Sequence, residues 1–222
     1  MTRTLGRTVG VDLGQQSDYT AVVILDELEG DPVTGVPRPK PTYVVRWLRR
    51  RRGVQYNAVL DDLALMADWP ALHRAPFVVD GTGLGRPIVD ALRERIRGVH
   101  AVVITSGQAV TTAGPHESHV PKVDLVGAVQ MLLQQRRLTV DTAVEDAAVL
   151  RDELLDFGYT ITESGRTKME ATSGHDDALM ALALACWRAT HKGPGAAWME
   201  AWERLSAEGQ ALPVHNPEGP RR

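Results

Sequence analysis

Val9-Gly10-Val11-Asp12-Leu13-Gly14, followed after a short gap by Thr20-Ala21-Val22-Val23-Ile24-Leu25, is the stretch on which the fold turns. β-branched and apolar residues dominate 8–13 and 20–25, and Gly14, Gln15, Gln16, Ser17 and Asp18 between them supply turn chemistry. Two strands joined by a tight polar connection are therefore expected. Residues 28–41 are crowded with Gly and Pro, which predicts a loop leading into a third strand at 42–48. The period of the pattern then changes. Val59, Leu60, Leu63, Leu65 and Met66 recur at helical spacing within 57–69, 76–80 reads as a short buried strand, 86–96 as a helix and 99–104 as a fifth strand. An antiparallel opening followed by alternating helices and strands predicts an α/β fold, a five-stranded mixed sheet flanked by helices on both faces.

Further along, 105–120 is polar and contains Gly and His, which suits a mobile or substrate-contacting loop. Residues 122–135 and 141–156 are expected to be helical, 159–170 alternates like a ribbon, and 175–187 is a strongly apolar helix. Gly193, Pro194 and Gly195 break that helix. The expected organisation is one domain over 1–192, then a C-terminal short helix at 196–207 and a flexible tail within 193–222. No internal repeat is present.

The 222 residues carry 43% hydrophobic and 24% charged side chains, which excludes wholesale disorder and fibrous repeats. A net charge of -3 argues against coating nucleic acid by bulk electrostatics and leaves room for a local basic patch. Cys186 is the single cysteine, so an internal disulfide and a multi-cysteine zinc site are ruled out and a reducing cytoplasm is expected. Neither a signal sequence nor a membrane-length apolar run occurs, and no membrane association is expected.

Acidic residues fall where chemistry would want them. Asp12 ends the first apolar strand, and Asp80 ends Phe77-Val78-Val79 and is followed by Gly81-Thr82-Gly83-Leu84-Gly85, where glycines allow close backbone approach. Ser173-Gly174-His175-Asp176-Asp177-Ala178 opens the last apolar helix and puts two carboxylates in its first turn. Carboxylates gathered this way would repel and raise one another's pKa unless a cation neutralised them. Mg²⁺ or Mn²⁺, as a two-metal site serving phosphodiester cleavage, is the cofactor this chemistry calls for. Each acid also has a plainer explanation. Asp12 suits a turn, the helix-start pair suits capping, and Asp18 between two strands reads as a turn residue rather than a ligand. The Gly-x-Gly-x-Gly after Asp80 is not the spacing of a dinucleotide loop.

Taken in order, Asp12-Leu13-Gly14 through Asp18-Tyr19-Thr20-Ala21, Val79-Asp80-Gly81-Thr82-Gly83-Leu84-Gly85 and His175-Asp176-Asp177-Ala178-Leu179 resemble the motifs of the nuclease domain of phage terminase large subunits. The segment from Val120-Pro121-Lys122 through Leu132-Leu133 to Arg137-Leu138-Thr139-Val140 also looks like the helix-then-strand stretch that precedes the final acidic motif there. The resemblance spans roughly residues 8–187. It implies a ribonuclease H-like fold and a metal-dependent DNA endonuclease that cuts concatemeric viral DNA during genome packaging. By the same resemblance Asp12, Asp80 and Asp177 would be the catalytic metal-binding triad, Asp176 a further ligand and His175 an auxiliary group near the scissile phosphate. Which of Asp176 and Asp177 is the principal ligand stays open. No Gly-x-x-x-x-Gly-Lys-Ser/Thr phosphate loop occurs, so the implied partners are double-stranded DNA, a separate packaging ATPase, a small terminase subunit and a portal, and the implied location is a host cytoplasm.

Arg49, Arg50 and Arg51 lie in the densest basic run, and with Lys122 and Lys168 they are the candidate DNA contacts, against the plain alternative of a solvated face. Two other functions compete. A Holliday-junction resolvase would also end its acidic cluster in a His and Asp at a helix start. An actin-like or sugar-kinase ATP-binding protein could use Asp12-Leu13-Gly14 with Thr20, although such proteins need a second lobe. A non-catalytic packaging component that keeps the fold is a third.

Overall fold

A computed structural model describes residues 2–14, 18–36, 38–83, 85–161, 167–171 and 175–191. The chain opens with three long strands, β1 (Arg3–Asp12), β2 (Tyr19–Glu29) and β3 (Thr42–Arg52). There follow α1 (Tyr56–Ala67), β4 (Phe77–Asp80), α2 (Gly85–Arg95), β5 (Val99–Thr105), β6 (Thr111–Gly114), β7 (Glu117–Pro121) and α3 (Lys122–Gln134). Then come β8 (Leu138–Val140), α4 (Ala147–Asp156), the ribbon β9 (Phe157–Ile161) with β10 (Thr167–Ala171), and α5 (Asp177–Thr190). The short helix and tail expected beyond residue 192 lie outside the described residues.

Among the described residues the main sheet has eight strands in the order β6-β7-β5-β4-β1-β2-β3-β8, not the expected five. It is mixed. β1 pairs antiparallel with β2 and parallel with β4, and β4, β5 and β7 continue in parallel. The extra strands arise where sequence pattern is weakest. β6 and β7 occupy the expected loop 105–120, and β7 reads as polar because Glu117 and Ser118 are buried there with partners. Ser118 Oγ lies 3.1 Å from Nε2 of His100, and Arg86 donates to Glu117 at 3.1 Å. β8 has only three residues. The expected helix at 141–156 begins only at Ala147, because the Asp141 carboxylate accepts the Ala143 N–H at 3.1 Å and holds a turn.

Alternating side chains divide the core into two layers. Val9, Val11, Val22, Ile24, Phe77 and Val79 face α1 and α2, whereas Ala21, Val23, Leu25, Val45, Val78 and Val102 face α3, α4 and α5. α5 is buried on every side from Asp177 to Trp187, which explains why its sequence is apolar all round rather than striped. Each fully buried leucine there contributes roughly 1.5–3 kcal/mol. Close approach of α5 to the sheet depends on Gly10, since a Cβ at that position would lie 2.0 Å from the Ala181 carbonyl oxygen. Helix backbone cannot yield as a flexible side chain could.

Gly10→Ala is therefore expected to destabilise the protein by about 1–3 kcal/mol or more through overpacking. Urea unfolding with an unchanged m-value would measure it, and a neutral result would mean that α5 does not press on β1 at this point.

Candidate metal centre

β1 and β4 run parallel with Val11 opposite Val79, so the next residues, Asp12 and Asp80, stand side by side at the carboxyl ends of neighbouring strands. Such strand ends are where open α/β sheets place their ligands. Both aspartates share the sheet face of Gly10 and Val78, the face that α5 covers. α5 begins at this same end, and Asp177 is its first residue.

Local backbone fixes each carboxylate. The Thr82 N–H donates to Asp80 Oδ1 at 2.8 Å, and Thr82 Oγ1 accepts the Ile104 N–H at 2.9 Å, tying the loop after β4 to β5. Gly14 N–H donates to Thr20 Oγ1 at 3.1 Å, closing the turn after Asp12. A Cβ on Gly14 would lie 2.3 Å from the Tyr19 carbonyl oxygen, so this turn requires glycine.

Asp12 is raised well above the ordinary carboxylate range, first by burial and then by the negative charges of Asp80, Asp177, Asp176 and Asp18. Asp80 is also raised by burial, opposed by its Thr82 hydrogen bonds and by Lys122. Asp177 is raised by burial against the pull of Arg50. Lys122 Nζ donates to Asp176 Oδ2 at 2.7 Å, and Arg50 donates twice to Asp177 Oδ2, at 2.8 Å from Nη2 and 3.2 Å from Nε.

Asp12 and Asp80 thus stand at neighbouring strand ends, Asp176 and Asp177 lie near enough for their charges to act on Asp12, and His175 lies beside Asp177. Its Nδ1 lies 3.8 Å from Asp177 Oδ2 and 3.9 Å from Asp18 Oδ1, and its ring meets Tyr19 edge-on at 5.2 Å. One ligand atom each from Asp18, His175 and Asp177 falls within 4.8 Å of the others, a spacing that one cation could bridge. Asp18, expected as a turn residue, accepts the Tyr19 N–H at 2.9 Å as such a residue would, and stands beside His175 as well. The overlooked signal was the hairpin itself, since a residue at the start of β2 must return to the end of β1.

Arg50, expected among the DNA contacts, is instead turned inward and is 14% exposed. Strand alternation explains it, because Arg49 and Arg51 point to the opposite sheet face. There Arg49 meets Glu145 at 3.0 Å and Arg51 meets Asp62 at 3.3 Å. Lys122 does reach the acidic centre, whereas the side chain of Lys168 lies outside the described residues. A cavity of about 580 Å³ between β3 and α1, lined by Val22, Trp47, Val59, Leu63, Met66 and Trp69 among others, is on the far face. Its apolar walls suit no hard cation.

The same architecture recurs in solved structures. The large terminase nuclease of thermophilic phage G20c, solved with bound magnesium, superposes with a TM-score of 0.57 at 24% identity, over 82% of this chain and 80% of that one. The fold is that of a phage large terminase nuclease. The corresponding domain of Thermus phage P74-26 gives 0.53 at 22% identity over 85% and 81% of the two chains. The terminase nuclease domain of bacteriophage SPP1, solved with bound manganese, gives 0.51 at 14% identity over 83% and 86%. No family model matches the sequence, and no curated protein matches it. Terminase nuclease likeness therefore resides in the three-dimensional arrangement, including the sheet and the helices on both of its faces.

Burial and like charge raise the folded-state pKa of Asp12 above its unfolded value, so the metal-free folded protein holds more protons over that interval. Its stability should fall as pH rises from the ordinary carboxylate range through the raised pKa. In EDTA, Asp12→Asn is expected to flatten this decline and to be more stable at pH 8 by on the order of 1 kcal/mol or more. Mg²⁺ should raise the wild-type melting temperature, with about 2.7 kcal/mol of stabilisation at one hundred times Kd, and should leave Asp12→Asn nearly unmoved. Parallel melting curves for the two proteins with and without metal would count against a shared site.

Proposed function

We propose that this protein is a divalent-metal-dependent endodeoxyribonuclease that cuts concatemeric viral DNA during genome packaging. What supports this reading is that Asp12 and Asp80 end neighbouring parallel strands, that the charge of Asp177 at the start of a buried helix reaches Asp12, and that Asp18, His175 and Asp177 offer ligand atoms within 4.8 Å of one another. Support comes from fold relatives that were solved with magnesium, cobalt and manganese.

The donor set suits Mg²⁺ or Mn²⁺, being carboxylate oxygens with a single imidazole and no thiolate. Asp12, Asp80 and Asp177 would be the principal ligands, with Asp176 and Asp18 able to add oxygens and His175 a nitrogen. Bound there, such ions supply the Lewis acidity that phosphodiester hydrolysis needs. The protein's own contribution is positional. Thr82 fixes Asp80, the helix start fixes Asp177, and the Gly14 turn keeps Asp12 beside them. Lys122, at the edge of the acids, and Lys168 are assigned to phosphate contacts that orient the duplex without reading sequence, whereas Arg49 and Arg51, on the other sheet face and paired with Glu145 and Asp62, would meet DNA only away from the cut site. A packaging ATPase would drive translocation, with a small terminase subunit and portal as further partners. Among the described residues no helix is long and apolar enough to cross a membrane.

Supercoiled plasmid incubated with the protein and Mn²⁺ should be nicked and then linearised, and EDTA should stop the reaction. Asp12→Asn, Asp80→Asn and Asp177→Asn should each reduce cleavage by about 10²-fold or more while leaving the circular dichroism spectrum unchanged. Intact plasmid across Mg²⁺, Mn²⁺ and Co²⁺ with folded protein would refute the assignment. Selective cutting of a four-way junction over linear duplex would turn it toward a resolvase.

A further inference from the structure

Arg50 leaves the basic run of β3 and enters the acidic centre, where acids hold it on two sides. Its guanidinium donates twice to Asp177 Oδ2, and its Nε lies 3.6 Å from Glu153 Oε1. The Glu153 side chain is 5% exposed. The other Glu153 oxygen, Oε2, accepts the Leu179 N–H at 2.9 Å, so Glu153 is tied to the same first turn of α5 that carries Asp177. The Tyr19 ring lies 3.6 Å beneath the guanidinium, and the Arg50 backbone N–H donates to Asp146 Oδ2 at 2.9 Å.

A planar fork seated on an aromatic face and held by two carboxylates has little freedom left. Two effects follow. Both donors fall on one oxygen of Asp177, which fixes the carboxylate's orientation. The same oxygen lies 3.8 Å from His175 Nδ1, within the group formed by Asp18, His175 and Asp177. A permanent positive charge is therefore built in beside the place those three ligands would give a cation, and like charges at such distances oppose each other.

We propose that Arg50 is a positioning residue of the metal centre: clamped between Glu153 and Asp177, it orients the Asp177 carboxylate and its charge holds down the affinity for a divalent cation. This rests on the metal-dependent nuclease assignment. Arg50 acts through Asp177, not on DNA, and Glu153 is the buried seat that keeps it there. Orientation and affinity are thereby set against each other, so removing Arg50 should tighten metal binding while slowing cleavage. A side chain that merely supported the fold would weaken both together.

The test measures Mn²⁺ binding to the full chain by calorimetry and by the paramagnetic resonance signal of free Mn²⁺, beside plasmid cleavage as a function of Mn²⁺ concentration. Arg50→Gln removes the charge and keeps an N–H donor for Asp177, and Arg50→Lys keeps the charge while losing the fork. Arg50→Gln is expected to bind Mn²⁺ about fivefold more tightly and to cleave about 10–100-fold more slowly at saturating metal. Arg50→Lys should bind Mn²⁺ within about twofold of wild type and show a comparable loss of saturated rate. Should Arg50→Gln not fold, Arg50→Lys still tests the orienting role, because its saturated rate should fall at unchanged Mn²⁺ affinity. Wild-type rates in the folded variants, or affinity that falls along with rate, would overturn the proposal while leaving the nuclease assignment standing. Failure of the wild-type protein to bind Mn²⁺ would remove the metal centre itself and Arg50's role with it.

Discussion

Carboxylates repel one another, and Asp80, Asp177, Asp176 and Asp18 all lie near enough to Asp12, at the end of β1, for their charges to act on it. Local packing sets where several of them stand. Parallel pairing sets Asp12 level with Asp80, the Gly10 gap lets α5 press against β1, and the all-round burial of α5 delivers its first turn to the same spot. Burial and repulsion together raise Asp12 well above its usual range, a perturbation of the kind that clusters at functional sites.

The protein meets part of this repulsion itself. Lys122 neutralises Asp176 from the first residue of α3, Arg50 neutralises Asp177 from β3, and the Thr82 N–H supports Asp80. These partners come from separate elements, so the charge balance is a property of the tertiary structure and not of any one motif. Glu153 extends the balance inward. It caps the buried helix start while facing Arg50, and its own pKa is raised by burial and lowered again by the Leu179 N–H. Structure and electrostatics are coupled through this one side chain.

Much of this could be read from sequence, for identifiable reasons. Strands β1 to β5 and helices α1 to α3 and α5 announce themselves by apolar period, and the acids at their ends stand out because they recur at element ends, although each alone also suits a turn or a cap. What could not be read was set by neighbours distant in the chain. β7 hides because buried Glu117 and Ser118 find partners on α2 and β5, and β6 and β8 are too short to show a period. Asp18 hid inside a turn, since its usefulness depends on His175 more than 150 residues later. The run Arg49-Arg50-Arg51 looked uniform, as a charge run must until the sheet assigns alternate residues to opposite faces.

That division has a corollary for how β3 evolves. β3 carries an irregularity in its pairing with β2, between Ile24 and Leu25, and beyond it Arg50 lies opposite Ala21 on the α5 side. Deleting one arginine of the run would bring Arg51 to the inward place and leave a guanidinium there. Deleting Trp47 or Leu48 would instead carry Arg49 into the buried place of Leu48, on the α5 side of the sheet. Tolerance to deletion should therefore change sharply between Leu48 and Arg49, two neighbours on one strand.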